Sequence, residues 1–413
     1  MAGQRYPTPG APARHLPAAY RALGGVPSHS RMARPSPVLF LCLFASQAAM
    51  LVLSPILPDV AREFGVSTAT AGQLRSISGL TGGVTAVLVA VAPRRPGLRD
   101  LLSAGAALVA LGSALSAAAP AFAVLALAQG VVGVGIGLLV AVGIAAAGEW
   151  PDPDRRPHVL AWAIAGMPAA WIAGMPVVGA VASIDWRAAW LAVPTAVGLA
   201  ALALVRMRPA DTPSRRTGDS VGAWRRPEVA RFAAGELLAN AAWASVLTYA
   251  GALVLGSYAL SPAVVALGLG AMAVAMLPGT FTARRGARVT TGTLSALTAF
   301  QGFAVLVLGT VRPSALLTFG VLAVMAFVNG RRSMVASALG MDTAPEDKLA
   351  VMSMRAAANQ FGYLLGAAAG GAALAVGGFP GLGVTLAGMF AAAVAIHVPA
   401  LIPSRQRVAP EAA

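Results

Sequence analysis

Apolar residues run along this chain in stretches of about twenty, punctuated by clusters of proline, glycine and arginine. A helix needs that length to cross the hydrocarbon layer of a membrane. The breaks delimit twelve such stretches, at residues 38–58, 69–92, 100–118, 122–147, 159–182, 188–206, 231–256, 262–283, 289–310, 314–339, 350–376 and 380–402. The strands of a closed barrel alternate apolar and polar with a period of two, whereas Ala117 to Ala119 and Ala201 to Val205 are apolar at every position. Helices are therefore predicted throughout. The first stretch is too long for the core of a signal peptide, and others of similar length follow it, so it reads as a retained span.

Composition agrees with the pattern: 57% of the 413 residues are hydrophobic and only 11% charged, against about 25% charged in a soluble domain. The formal net charge is +15 and almost all of it is arginine, Lys348 being the single lysine. Those arginines fall between the apolar runs instead of on one stripe, which excludes a nucleic-acid surface and suits a polytopic membrane protein. They are dense in the first 36 residues, after spans 2, 4, 6 and 8 and at the C-terminus, while the alternate connections hold only Arg62, Arg187 or Arg312. Arginine accumulates on the cytoplasmic side, so both termini are expected there, with the protein in the inner (plasma) membrane.

The longest internal polar stretch, residues 207–230, follows the sixth span and divides the chain into bundles at 37–206 and 231–403. Residues 1–36 and 404–413 read as polar tails, the first basic and without periodicity. The halves echo one another: PRRPGLR after span 2 returns as ARRGAR after span 8. Paired six-helix bundles point to a transporter that rocks about a site at the midplane.

A charge at bilayer depth is expensive and therefore a functional candidate. Glu236 is the one carboxylate well inside a predicted span, with Asn240 and Trp243 on the same helix face at i+4 and i+7. Arg331 and Arg332, in span 10, and Arg355, in span 11, lie at similar depth, so Glu236 is expected to meet one of them near the cytoplasmic mouth. Such a contact would serve as a structural ion pair, a gate or substrate contact, or a protonatable coupling site. Arg75, near the outer end of span 2, is read as reaching towards water or towards Asp59 and Glu63. A mainly apolar cavity with a few polar fixtures is expected from Gln47, Gln129, Trp162, Trp171, Asn240, Trp243, Tyr249, Asn329, Asn359 and Gln360, which suits a small amphipathic organic substrate. With one cysteine, Cys42, and four scattered histidines, no metal site or cofactor is expected. No G-x-x-x-x-G-K-[ST] loop is present for ATP, and no catalytic constellation indicates an enzyme.

Several segments carry a family likeness over residues 38–402. LSPILPDVAREFGVSTATAG (53–72) resembles the opening of the major facilitator superfamily, GMPVVGAV (174–181) resembles its antiporter Gly-Pro signature, and DWRAAW (185–190) resembles the usual approach to its sixth span. The resemblance implies an all-α membrane protein of about 12 transmembrane helices in two pseudo-symmetric six-helix bundles. It further implies proton-coupled efflux of a drug, sugar or natural product by a monomer, through alternating access. An uptake carrier or uniporter of the same fold is one alternative, and a non-transporting receptor or scaffold another. The switch residues it implies are Arg94, Arg95 and Gly97 after span 2, Gly174 and Pro176 in span 5, and Gly279, Arg284 and Gly286 after span 8. The chain departs from the pattern at three places: Arg94 and Ala283 stand where the two loop motifs have an acid, and Ala126 stands where span 4 has an arginine. A charge-swapped latch is therefore expected between Arg94, Arg95 or Arg99 and Glu346 or Asp347.

Overall fold

The computed structural model describes residues 35–92, 94–211, 214–215, 222, 224–282, 290–343 and 348–397. Arg284, Gly286, Glu346, Asp347 and the two terminal tails lie outside the described residues, as do the side chains of Arg94 and Arg95.

Among the described residues, eleven helices are long and apolar enough to span a membrane. They are α1 (Pro35–Glu63), α2 (Thr68–Val91), α3 (Leu98–Ala118), α4 (Phe122–Glu149), α5 (His158–Ala182) and α6 (Trp186–Arg206), then α7 (Pro227–Ser257), α8 (Pro262–Thr282), α9 (Thr291–Thr310), α10 (Ala315–Thr343) and a final stretch, Lys348–His397. That last stretch is not one rod. Gly378 has φ +57°, a left-handed conformation that glycine adopts freely, and Pro380 follows it. The chain reverses there, giving α11 (348–377) and α12 (379–397). Among the described residues twelve helices of about spanning length result, as the apolar pattern predicts.

Helices answer the central demand of lipid, where every backbone polar group must find a partner inside the protein. Spans α2 and α9 are capped by a side chain at their start: Ser67 accepts from the Thr70 N–H at 3.0 Å and Thr290 from the Thr293 N–H at 3.1 Å. Large apolar side chains such as Leu127, Leu316 and Val376 stand exposed on the outside of the bundle, where lipid replaces water.

Packing repeats with a shift of six helices. In the first half α1 packs on α5, α2 on α4, and α3 on α4 and α6; in the second α7 packs on α11, α8 on α10, and α9 on α10 and α12. The halves meet along α2 with α11 and α5 with α8, a pair of seams related by the same shift. Small residues let these backbones approach. A Cβ on Gly79 would lie 2.5 Å from the Leu364 nitrogen, and one on Gly179 would lie 2.2 Å from Cβ of Ala266. Described contacts along the first seam run from Ala69 against Gly371 to Gly83 against Phe361, from the α2 N-terminus to a little beyond its middle. Gly251 of α7 meets Ser54 of α1 at that same level. These contacts lie in the half of the bundle remote from the 207–226 connection, where a recess lined by Pro58, Ser67, Ala252, Leu260 and Leu374 also opens.

Candidate functional site: a buried carboxylate between two arginines

Pro227 in the first turn of α7 sets φ for the start of the helix, and nine residues on α7 delivers Glu236 to the interior. Its side chain is 0% exposed. One oxygen accepts from Arg332 Nη1 of α10 at 2.6 Å and the other from Arg355 Nε of α11 at 3.1 Å. Arg332 is 1% exposed and donates through Nη2 to Asn240 Oδ1, one turn along α7, at 3.1 Å. Arg355 is 17% exposed, so the cluster opens on its side, and its Nη2 donates to Ser333 Oγ at 3.0 Å and to the Ser333 carbonyl at 3.2 Å. His397, at the end of α12, packs against Gly235, and its Nε2 is buried without a hydrogen-bond partner. One carboxylate therefore ties three helices together, and removing its charge would leave two guanidinium groups facing each other.

The structure selects Arg332 and Arg355 as the partners and leaves Arg331 out. One residue is a rotation of about 100° on a helix, so Arg331 points away from Glu236, its Nε buried and unpartnered.

Arg75 corrects the sequence reading. Its side chain is 1% exposed and does not reach water, Asp59 or Glu63. It turns inward, donates through Nη2 to the Met50 carbonyl of α1, and lies 5.8 Å from the ring centre of Tyr363 in α11. The two acids are occupied elsewhere. Asp59 pairs with Arg62 at 2.8 Å, and Glu63 takes Arg187 Nη2 at 2.5 Å and Trp186 Nε1 at 2.5 Å. Arg187 also donates to the carbonyls of Ala117 and Ala119, fastening the end of α3 to α1 and α6.

The expected cavity residues divide. Gln47 accepts from Trp171 Nε1 at 3.3 Å between α1 and α5. Trp243 is buried in α7, and Tyr249 lies at the α2–α11 seam, donating to the Ala367 carbonyl at 2.9 Å. Asn359 is half-buried and Gln360 buried in α11. Gln129 and Asn329 are buried between helices of their own halves: Gln129 donates to Ser116 of α3 at 2.9 Å, and Asn329 accepts from Gln301 of α9 at 3.4 Å. Each bond fastens a neighbouring helix of its own half, α3 to α4 and α9 to α10. Trp162 is 51% exposed, its ring beside Phe40 and His158.

The switch residues also separate by environment. Ala170–Gly174 forms a π-helical turn between Pro168 and Pro176, a local widening that missing N–H donors favour. Gly174 packs on Leu51 of α1 within its own half, whereas Pro176 meets Gly270 of α8 across the seam. Gly279 lies against the Phe327 carbonyl of α10. Arg94 and Arg95 pair antiparallel with Arg215 and Ser214 of the connection between halves. Gly97 permits the approach of Asp211, whose carboxylate accepts from the Arg99 N–H at 2.8 Å and from Trp150 Nε1 at 3.3 Å. Arg99 also donates to the Arg206 carbonyl at 3.1 Å. Asp211 thus holds the loop after α2 through the Arg99 N–H and Trp150, while Glu346 and Asp347, the acids expected to latch onto that loop, lie outside the described residues. Among the described residues, no three His, Cys, Asp or Glu side chains gather as a metal site.

A family model described as Major Facilitator Superfamily matches residues 39–353, most of the helical region. The chain belongs to the major facilitator superfamily. It is 27% identical over 62% of its length to the chloramphenicol resistance protein of Streptomyces lividans, covering 69% of that protein. It is 28% identical over 39% of its length to an uncharacterized MFS-type transporter, YfhI, of Bacillus subtilis (strain 168), covering 41% of it. Among solved structures, it superposes on the nucleoside transporter NupG (D323A mutant) with TM-score 0.69 and 11% identity, over 89% of this chain and 99% of that one. It also superposes on a bacterial homologue of the human lysosomal transporter Spinster, inward-facing and occupied, with TM-score 0.66 and 12% identity, over 89% of this chain and 96% of that one. The chain is accordingly a multi-pass membrane protein of a transporter family, with the superfamily's fold and a small-molecule substrate.

Proposed function

We propose that this superfamily member exports a small amphipathic organic compound, a drug, sugar or natural product, by alternating access in the inner membrane. The observation that carries the reading is the one-sided seam: α2 and α5 seal against α11 and α8 in one half of the bundle, with glycines at the contacts that must slide. Arginine density supports a cytoplasmic place for the termini and the 207–230 connection; on that reading the side on which these helices meet is the outer one and substrate enters from within. Export is supported by the resistance protein among the relatives. The halves are the bundles at 37–206 and 231–403, and a monomer contains the whole path between them.

A proton gradient is the proposed energy source, with Glu236 as its entry point to the conformational cycle. Both carboxylate oxygens are engaged here, so the coupling step is exchange of an arginine for a proton as α7, α10 and α11 shift. Neutral Glu236 would leave Arg332 and Arg355 in mutual repulsion and loosen α11, a seam helix. The Gly174 and Pro176 turn is proposed to flex on the other seam, and the Arg94 to Gly97 and Gly279 to Gly286 loops to set the limits of rocking. A uniporter of the same fold is favoured by one observation, Ala126 where the family carries the span 4 arginine.

The test is a resistance and accumulation screen in a bacterial strain lacking its own exporters. Expression is expected to lower cellular content of at least one compound class, Glu236→Gln to abolish the effect, and a protonophore to do the same. Raised content would make the carrier an importer, and indifference to the protonophore would remove proton coupling.

A further inference from the structure

The interior charges do not balance. Among the described residues, four arginines lie about two turns or more inside their helices, Arg75, Arg331, Arg332 and Arg355, while Glu236 is the one carboxylate at such depth. Glu236 is fully used by Arg332 and Arg355. The Nε atoms of Arg331 and Arg332 and Nη1 of Arg75 are buried without hydrogen-bond partners. A buried charge is tolerated when it is paired, and an apolar side chain of similar volume is ordinarily the more stable choice. Arginine's planar fork matches an oxyanion with two parallel bonds.

Arg75 is the sharpest case. It stands where α1, α2, α7 and α11 meet, held by the Met50 carbonyl and beside Tyr363, with Tyr249 also within its field. Asp59, Glu63 and Asp185 are committed elsewhere: Asp59 to Arg62, Glu63 to Arg187 and Trp186, and Asp185 to the Arg187 N–H. Because α2 and α11 form the seam that must part, Arg75 is uncovered when the outer side opens.

We propose that Arg75 is a specificity-determining residue of the transport path, and that the substrate is an organic compound bearing an oxyanion such as a carboxylate. This rests on the transport reading above. The free side of the guanidinium takes the oxyanion as the seam separates, replacing the Met50 carbonyl, while the apolar part of the compound lies against the tyrosine rings. A cationic compound meets repulsion from Arg75 in one half and from the surplus of Arg331, Arg332 and Arg355 in the other.

The test measures binding to the intact chain in detergent with three probes of one shape: 4-phenylbutyrate, the neutral 4-phenylbutyramide and the cationic 4-phenylbutylammonium. A charge-assisted pair outweighs a neutral hydrogen bond, so the carboxylate is expected to bind about tenfold or more tighter than the amide, with the cation weakest. Arg75→Met should bring the carboxylate down to the amide's affinity and leave the amide unchanged, while Arg75→Lys should keep a narrowed preference. A purely structural Arg75 would weaken all three probes together, which overturns the proposal. So would equal binding in the unaltered chain, no carboxylate binding up to about 10 mM, or a preference that survives Arg75→Met. Should Arg75→Met fail to fold, the unaltered chain and Arg75→Lys decide. Failure of the transport reading is seen independently, as unchanged cellular accumulation of every compound.

Discussion

Glu236 is a residue whose removal and replacement have opposite expected outcomes. Glu236→Ala leaves Arg332 and Arg355 buried and unneutralised, which costs about 3–5 kcal/mol where a buried pair is broken from one side. Denaturant unfolding in detergent should show that loss, and the double variant Glu236→Met with Arg332→Met should regain most of it. A Glu236→Ala protein as stable as the parent would mean the pair carries no structural weight. The sequence makes Glu236 conspicuous because an acid deep in an apolar run is costly. It cannot choose between Arg331 and Arg332, since the rotation of α10 about its own axis is set by packing against α8 and α9. Arg75 is misread for a related reason. Asp59 and Glu63 are its neighbours in sequence, but Arg187, 124 positions beyond Glu63, claims one of them in space, and nothing local announces that.

At the scale of elements, helix positions are legible because length and apolarity alone determine where lipid accepts a span. The twelve runs match the helices closely, and the reversal at Gly378 is marked by a Gly-Gly-Phe-Pro sequence. The acid that accepts from the Arg99 N–H after α2 is not legible: it is Asp211, 112 positions further along the chain and supplied by the connection that follows α6. Glycines also differ by which helices they join, a distinction invisible in their spacing. A Cβ on Gly366 would lie 2.0 Å from the Ala241 carbonyl, inside the second half, whereas Gly79 meets α11 across the seam. Gly79→Leu should therefore burden only the state sealed on this side. An overpacking cost of about 1–3 kcal/mol shifts the balance of states by about 5- to 150-fold. Thiol labelling of a cysteine introduced at Ala69 should accelerate accordingly. Gly366→Leu should lower stability without that acceleration. Equal labelling of the two variants would show that the α2–α11 contact is not a moving seam.

For the whole molecule, packing repeated with a shift of six helices makes two bundles that meet along the α2–α11 and α5–α8 seams and where α7 touches α1, and alternating access requires those contacts to open and close in each cycle. The most direct measurement uses Gln73→Cys with Ala367→Cys in a Cys42→Ala background. Gln73 Nε2 donates to the Ala367 carbonyl at 3.0 Å across the α2–α11 seam, so a short, reducible thiol cross-linker should bridge the pair in this state. Bridged protein is expected to move no substrate in proteoliposomes and to recover on reduction. Undiminished transport by fully bridged protein would contradict the account.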